Sequence, residues 1–195
     1  MKRIPITCLQ FAVAISLCGC VVQSLHPFFT EEAVIDCPVK NGEWIMIDKD
    51  GKPKDDKPWV FEDDQILTYD KDGGSGVVKV VYFKIEDTVF MDAIADEPSE
   101  GTSDWWTMHV TPVHTVCRVV ITNKSVMLTP IDYDWIEKAE KSKALTVPFI
   151  KRQEPESLLF TASSKEWMKF LREHRNNNDL FSKTYIMRFR WREKQ

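Results

Sequence analysis

The hydrophobic pattern of this chain changes its period along the sequence. Between Gly42 and Ile131, short runs of β-branched and aromatic residues are separated by turn residues. That is the pattern of antiparallel strands. It predicts strands at Glu43–Asp48, Trp59–Glu62, Gln65–Tyr69, Val77–Ile85, Thr88–Ala95, Trp105–Val110, Thr115–Thr122 and Ser125–Ile131. Turns fall at Lys49-Asp50-Gly51-Lys52-Pro53, at 70–76, at Glu86-Asp87 and at Asn123-Lys124, with a polar loop over 96–104. The Asp-Gly pair is a strong hairpin signal. After Ile131 the period lengthens. Asp132 is placed to cap a helix reaching about Lys143, with Trp135, Ile136 and Ala139 on one side. A further strand is predicted at Leu158–Thr161. Ser163-Ser164-Lys165-Glu166 then reads as a capping box, followed by Trp167, Phe170, Leu171 and His174 at helical spacing. Asn176-Asn177-Asn178 ends that helix. At the C-terminal end, Tyr185, Met187, Phe189 and Trp191 alternate with Ile186, Arg188, Arg190 and Arg192, a strand with its aromatics turned inward. The expected fold is mainly β with two helices: an antiparallel meander closing into a barrel or a strongly curved sheet.

The first twenty residues follow a different logic. Lys2 and Arg3 precede a run from Ile4 to Leu17 that is apolar except for Pro5, Thr7, Gln10 and Ser16. The run is shorter than the roughly 20 residues a membrane span needs, and it suits the apolar region of a secretory signal. Leu17-Cys18-Gly19-Cys20 resembles the lipobox of bacterial lipoproteins. An ordinary signal cut near Ala14-Ile15-Ser16 is the alternative. The resemblance implies cleavage before Cys20 and a diacylglyceryl unit, with its palmitate-like chains, on that cysteine. Cys18 fits less well because bulky Leu17 precedes it. Two or more acyl chains anchor stably where one does not. Val21, standing where an aspartate would hold the protein at the inner membrane, implies the outer membrane, with the domain facing the periplasm or the outside. The expected organisation is a signal peptide over 1–19, a lipidated tether over 20–38 and one β-rich domain over 39–195. No later segment is long and apolar enough to span a bilayer.

The run Cys20-Val21-Val22-Gln23-Ser24-Leu25-His26-Pro27 resembles the start of a family of uncharacterised bacterial lipoproteins. Gly42-Glu43-Trp44, Pro112-Val113-His114-Thr115 and Phe160-Thr161-Ala162-Ser163 carry the resemblance onward. It implies localisation and brings no activity with it. Gly42-Glu43-Trp44 is also similar to the Gly-x-Trp of lipocalins. That likeness implies a tryptophan at the closed end of a barrel, crossed by an arginine of the last strand, a role open to Arg188 or Arg190. In such a barrel Trp44, Tyr82, Phe90, Trp105 and Trp106 are the candidates to line a ligand cavity. Phe28 and Phe29 are expected to dock on the domain.

Charge and chemistry narrow the reading. The chain carries a net charge of −4, and −6 once Lys2 and Arg3 leave with the signal. An acidic exported chain is a poor nucleic-acid binder. After cleavage Cys37 and Cys117 remain. A disulfide between them would add roughly 4 kcal/mol by chain entropy; two buried thiols are the alternative. His109 and His114 with Asp132 or Asp134 are the residues available to a metal, but no His-x-His or Cys-x-x-Cys spacing supports one. Asp48-x-Asp50-Gly51 and Asp70-x-Asp72-Gly73 lack the later ligands of a calcium loop and read as acidic turns. Gly73-Gly74-Ser75-Gly76 is neither a phosphate loop nor a nucleophile elbow, and no cofactor motif is present. Arg188, Arg190, Arg192 and Lys194 form a basic end that reads as a solvated strand face or as a contact for phosphate head groups. The expected function is a non-enzymatic outer-membrane lipoprotein that binds a small apolar or amphipathic ligand. The alternative is an interaction protein, such as an envelope assembly factor or inhibitor.

Overall fold

A computed structural model describes residues 21–54, 57–69, 75–96, 111–153 and 156–193. Within these, eight strands form a closed antiparallel barrel: β2 (Gly42–Ile47), β3 (Trp59–Phe61), β4 (Gln65–Tyr69), β5 (Ser75–Ile85), β6 (Thr88–Ala95), β7 (His114–Ile121), β8 (Ser125–Pro130) and β11 (Met187–Trp191). Neighbours in sequence pair in order from β2 to β8. The last strand, β11, closes the ring between β8 and β2. Closure leaves the barrel no free edge, which suits a sheet rich in apolar residues. The expectation of a mainly β fold closing into a lipocalin-like barrel is met.

Between β8 and β11 the chain makes an annex. It comprises α1 (Tyr133–Lys141), β9 (Phe149–Gln153), β10 (Glu156–Phe160) and α2 (Ser164–His174). The Asp132 carboxylate accepts the Trp135 amide at 3.0 Å and starts α1. Ser163 and Glu166 cap α2 reciprocally, the Glu166 carboxylate accepting the Ser163 amide at 2.7 Å. β10 pairs with β9 and, in parallel, with the two-residue strand β1 (Gln23–Ser24), which also pairs with the start of β7. The sequence pattern misses β1, which is too short to show a period, and β9, where Lys151-Arg152-Gln153 breaks the apolar alternation.

Two cores result, one on each face of the same wall. Inside the barrel lie Trp44, Phe61, Ile66, Val80, Tyr82, Met91, Cys117, Leu128 and Phe189. Outside it, Phe83, Ile85, Phe90 and Val116 pack against Phe28, Phe160, Trp167, Phe170 and Phe181 from the annex and the N-terminal segment. β5 and β6 are thus apolar on both faces: Tyr82 and Met91 point in, while Phe83 and Phe90 stack outside at 5.4 Å.

The stretch over 20–38, expected to be a tether with Phe28 and Phe29 docked on the domain, is built into the body from residue 21 onward. Val22 and Phe28 are buried in the outer core. The segment then climbs beside β5, where Val34 bridges Phe83 and the Ile35 amide donates to the Tyr82 carbonyl. Residues 35–41 cross to the start of β2, and Ile35, Cys37 and Val39 pack on the inner core. Val39 is fully buried there, so the crossing caps that end of the barrel. At the other end β2, β4 and β6 finish and β3, β5 and β7 begin; the segments between them in sequence, 48–58, 70–74 and 96–113, are the long connections.

Candidate functional site

The capped end is organised around the Gly-x-Trp. Gly42 has φ +135, and a Cβ there would lie 2.6 Å from Trp191 Cη2. Glycine is therefore required twice, for its backbone and for the close approach of the indole. Trp191 meets Trp44 edge-on with centroids 5.2 Å apart, the Trp44 indole N–H donates to the Lys40 carbonyl at 2.9 Å, and the Lys40 ammonium sits 3.9 Å over the Trp191 ring. The arginine expected across Trp44 is absent from this arrangement. Arg188 and Arg190 alternate with the buried Phe189 and point outward. Trp191 and Lys40 take that place, because residues of odd number on β11 face inward.

Half-buried apolar residues flank the inner core at both ends, with Ile35, Cys37, Val89, Ile121 and Trp191 at the capped one. Trp44, Phe61 and Phe189 are buried. Met46, Trp59, Val78 and Met187 also pack on the inner core but are only half-buried. Each lies at or near a strand end adjoining a long connection. The Trp59 indole N–H is itself buried and has no hydrogen-bond partner among the described residues. Of the residues expected to line a cavity, Trp44 and Tyr82 do face the lumen. Phe90 does not: it lies in the outer core, because Met91 beside it takes the inward position. Trp105 and Trp106 lie outside the described residues, as do His109, Asp70 and Asp72.

Tyr82, Met91 and Cys117 form one inward cross-strand row. Among the described residues the buried Tyr82 hydroxyl has no hydrogen-bond partner. Burial, followed by the neighbouring thiols of Cys37 and Cys117, raises its pKa. Both cysteines are free thiols in the structure. Burial pushes the Cys117 thiol up to about 12 and raises that of Cys37, whose Sγ donates to the Val39 carbonyl at 3.3 Å. The thiolate is the reactive form. At about pH 8 we therefore expect iodoacetamide to label Cys37 slowly and Cys117 only after unfolding. Mass spectrometry of the labelled peptides checks this, and equal labelling of both in the folded protein would refute it. A disulfide-linked chain would label at neither position. The sign of the pH dependence follows. Because the folded pKa of Cys117 lies above its ordinary value of 9.0, the reduced protein keeps this contribution below that pH. It loses it as pH rises from there toward about 12.

A third cluster joins the scattered motifs. Ser24 pairs with His114 across β1 and β7, and with Phe160 across β1 and β10. The His114 Nδ1 lies 2.7 Å from Asp92 Oδ1, and Asp92 Oδ2 accepts the Phe28 amide at 2.9 Å. Ser24 Oγ accepts the Trp167 indole N–H at 2.9 Å and the His26 amide at 3.2 Å. Serine, histidine and aspartate are therefore neighbours, yet the geometry is that of a fastening. Ser24 is wholly buried and both lone pairs of its oxygen are engaged. Each Asp92 oxygen has a partner, as a buried carboxylate requires. His114 is thus a hydrogen-bonded structural residue. Asp48 is likewise committed to a turn, its Oδ1 accepting the amides of Asp50 and Lys52 at 2.9 Å each.

No protein-family model, curated protein or solved structure matches this chain.

Proposed function

We propose that this chain is a lipid-anchored, non-catalytic module of the bacterial outer membrane. Its barrel holds the apolar part of a small amphipathic ligand at the end that bears the long connections. The observation that carries the reading is the half-buried apolar set Met46, Trp59, Val78 and Met187 on the inner face there, with the Trp59 indole N–H left unpartnered among the described residues. Apolar surface around a single donor suits a ligand with one hydrogen-bond acceptor. Trp44, Phe61 and Phe189 limit its depth. Anchoring rests on the lipobox-like Leu17-Cys18-Gly19-Cys20 and on the sequence that follows it.

Native mass spectrometry tests the ligand. The chain from Val21, exported to and purified from a bacterial periplasm, is expected to carry a reproducible added mass that disappears on denaturation. A bare mass would overturn the carrier reading. For the anchor, the full-length protein is expected to incorporate labelled palmitate, and Cys20→Ala is expected to abolish it. Incorporation that survives the substitution would place the lipid elsewhere.

The interaction reading has an observation of its own. β9 is the free edge of the annex sheet, and its Ile150 is 54% exposed. Such edges accept further strands, although Lys151 at its centre and Pro148 just before it are the residues that discourage pairing.

A further inference from the structure

On the outer face of β2, β11 and the first part of β8, Ile45, Ile47 and Met127 belong to neither core. This face carries two cross-strand rows. Val120, Met127, Arg188 and Ile47 form one; Ser125, Arg190 and Ile45 form the next. Each arginine is flanked by aliphatic or small residues. Among the described residues, Arg188 and Arg190 make no ion pair or hydrogen bond. The carboxylates nearby are already engaged, Glu43 with Arg192 at 3.0 Å and Glu193 with Lys124 at 3.2 Å. A groove of about 720 Å³ runs past Ile45, Arg190 and Trp191 between these pairs. In a chain of net charge −4 this is a local reversal of sign, set on apolar rather than polar ground.

We propose that this wall lies against a membrane, with Arg188 and Arg190 binding the phosphates of anionic phospholipids and Ile45, Ile47 and Met127 resting at the interface. Guanidinium groups on aliphatic ground suit that boundary, because their stems stay with apolar surface while the charge reaches phosphate. The chemistry of the wall does not depend on the anchored reading above.

The test uses the chain from Val21, which retains every residue of both cores. Sedimentation with vesicles of phosphatidylcholine alone, and with about one-third phosphatidylglycerol, measures partitioning, each basic residue near an anionic surface contributing about fivefold. The protein is expected to prefer the anionic vesicles and to leave them as salt rises. The double variant R188A/R190A is expected to bind roughly 30-fold more weakly, and R188K/R190K within about threefold of the parent. Three results would each overturn the proposal: no preference for anionic vesicles, no loss in the alanine variant, or an equal loss in the lysine variant. Retention on polyglutamate without vesicle binding would assign the wall to an acidic protein instead. Because this chain carries no lipid, its behaviour is independent of palmitate incorporation at Cys20. A lipidated protein whose Val21 form ignores anionic vesicles keeps its anchor and loses this surface.

Discussion

Replacing Trp167 with alanine is expected to cost about 3–5 kcal/mol of folding stability, the range for a large aromatic removed from a packed core. Trp167 is wholly buried where α2, β10 and the N-terminal segment meet. Its ring lies 4.4 Å from Phe28, 5.0 Å from Phe160 and 5.6 Å from Phe170. Its indole N–H also donates to Ser24 in β1. Truncation opens a cavity and leaves the Ser24 oxygen short of one partner. Phenylalanine at the same position keeps most of the packing and loses the hydrogen bond, so Trp167→Phe is expected to cost about 1–2 kcal/mol. Urea unfolding followed by circular dichroism measures both. The alanine variant should also make residues 21–34 more open to limited proteolysis, since it removes the ring against Phe28 and the donor to Ser24. A loss below about 1 kcal/mol for alanine would mean that this junction is not where the segment is fastened.

The second large effect belongs to the capped end. Gly42→Ala is expected to destabilise by about 2–4 kcal/mol, combining backbone strain with overpacking. The added Cβ meets Trp191 at 2.6 Å, and that ring cannot swing away cheaply. Trp44 holds it edge-on and Lys40 sits above it. Gly51 provides the control. It also has positive φ, at +81, but nothing lies within 4 Å of its would-be Cβ, so Gly51→Ala is expected to cost about 1 kcal/mol from strain alone. Thermal unfolding of the two variants side by side separates strain from clash. Equal losses would show that the contact with Trp191 contributes nothing.

Much of the body is readable from local pattern. Gln65–Tyr69 and Thr88–Ala95 form strands with the bounds their β-branched and aromatic runs predict. Helix α2 starts at the capping box, and β11 alternates as its residues imply. These features depend on neighbours within a few positions, and short-range sterics and hydrogen bonding decide them. The candidate site is less legible. A strand that is apolar on both faces has no polar side to mark the outside. Val81-Tyr82-Phe83 and Val89-Phe90-Met91 therefore cannot say which residue faces the lumen, and Phe90 ends in the outer core while Met91 takes the inside.

Where the segment over 21–41 goes is likewise a matter of packing. The sequence marks Phe28 as a docking residue, but its partners are known only once β7 supplies His114, β6 supplies Asp92 and α2 supplies Trp167. Periodicity by itself determines the strand-rich meander, the two capped helices and the inward aromatic face of the last strand. Tertiary structure alone decides that β11 returns to close the ring against β2, that one wall carries two cores, and that the arginines beside Phe189 look outward. Those outcomes depend on groups far apart in the chain competing for the same buried space, and the competition is settled only when the barrel closes.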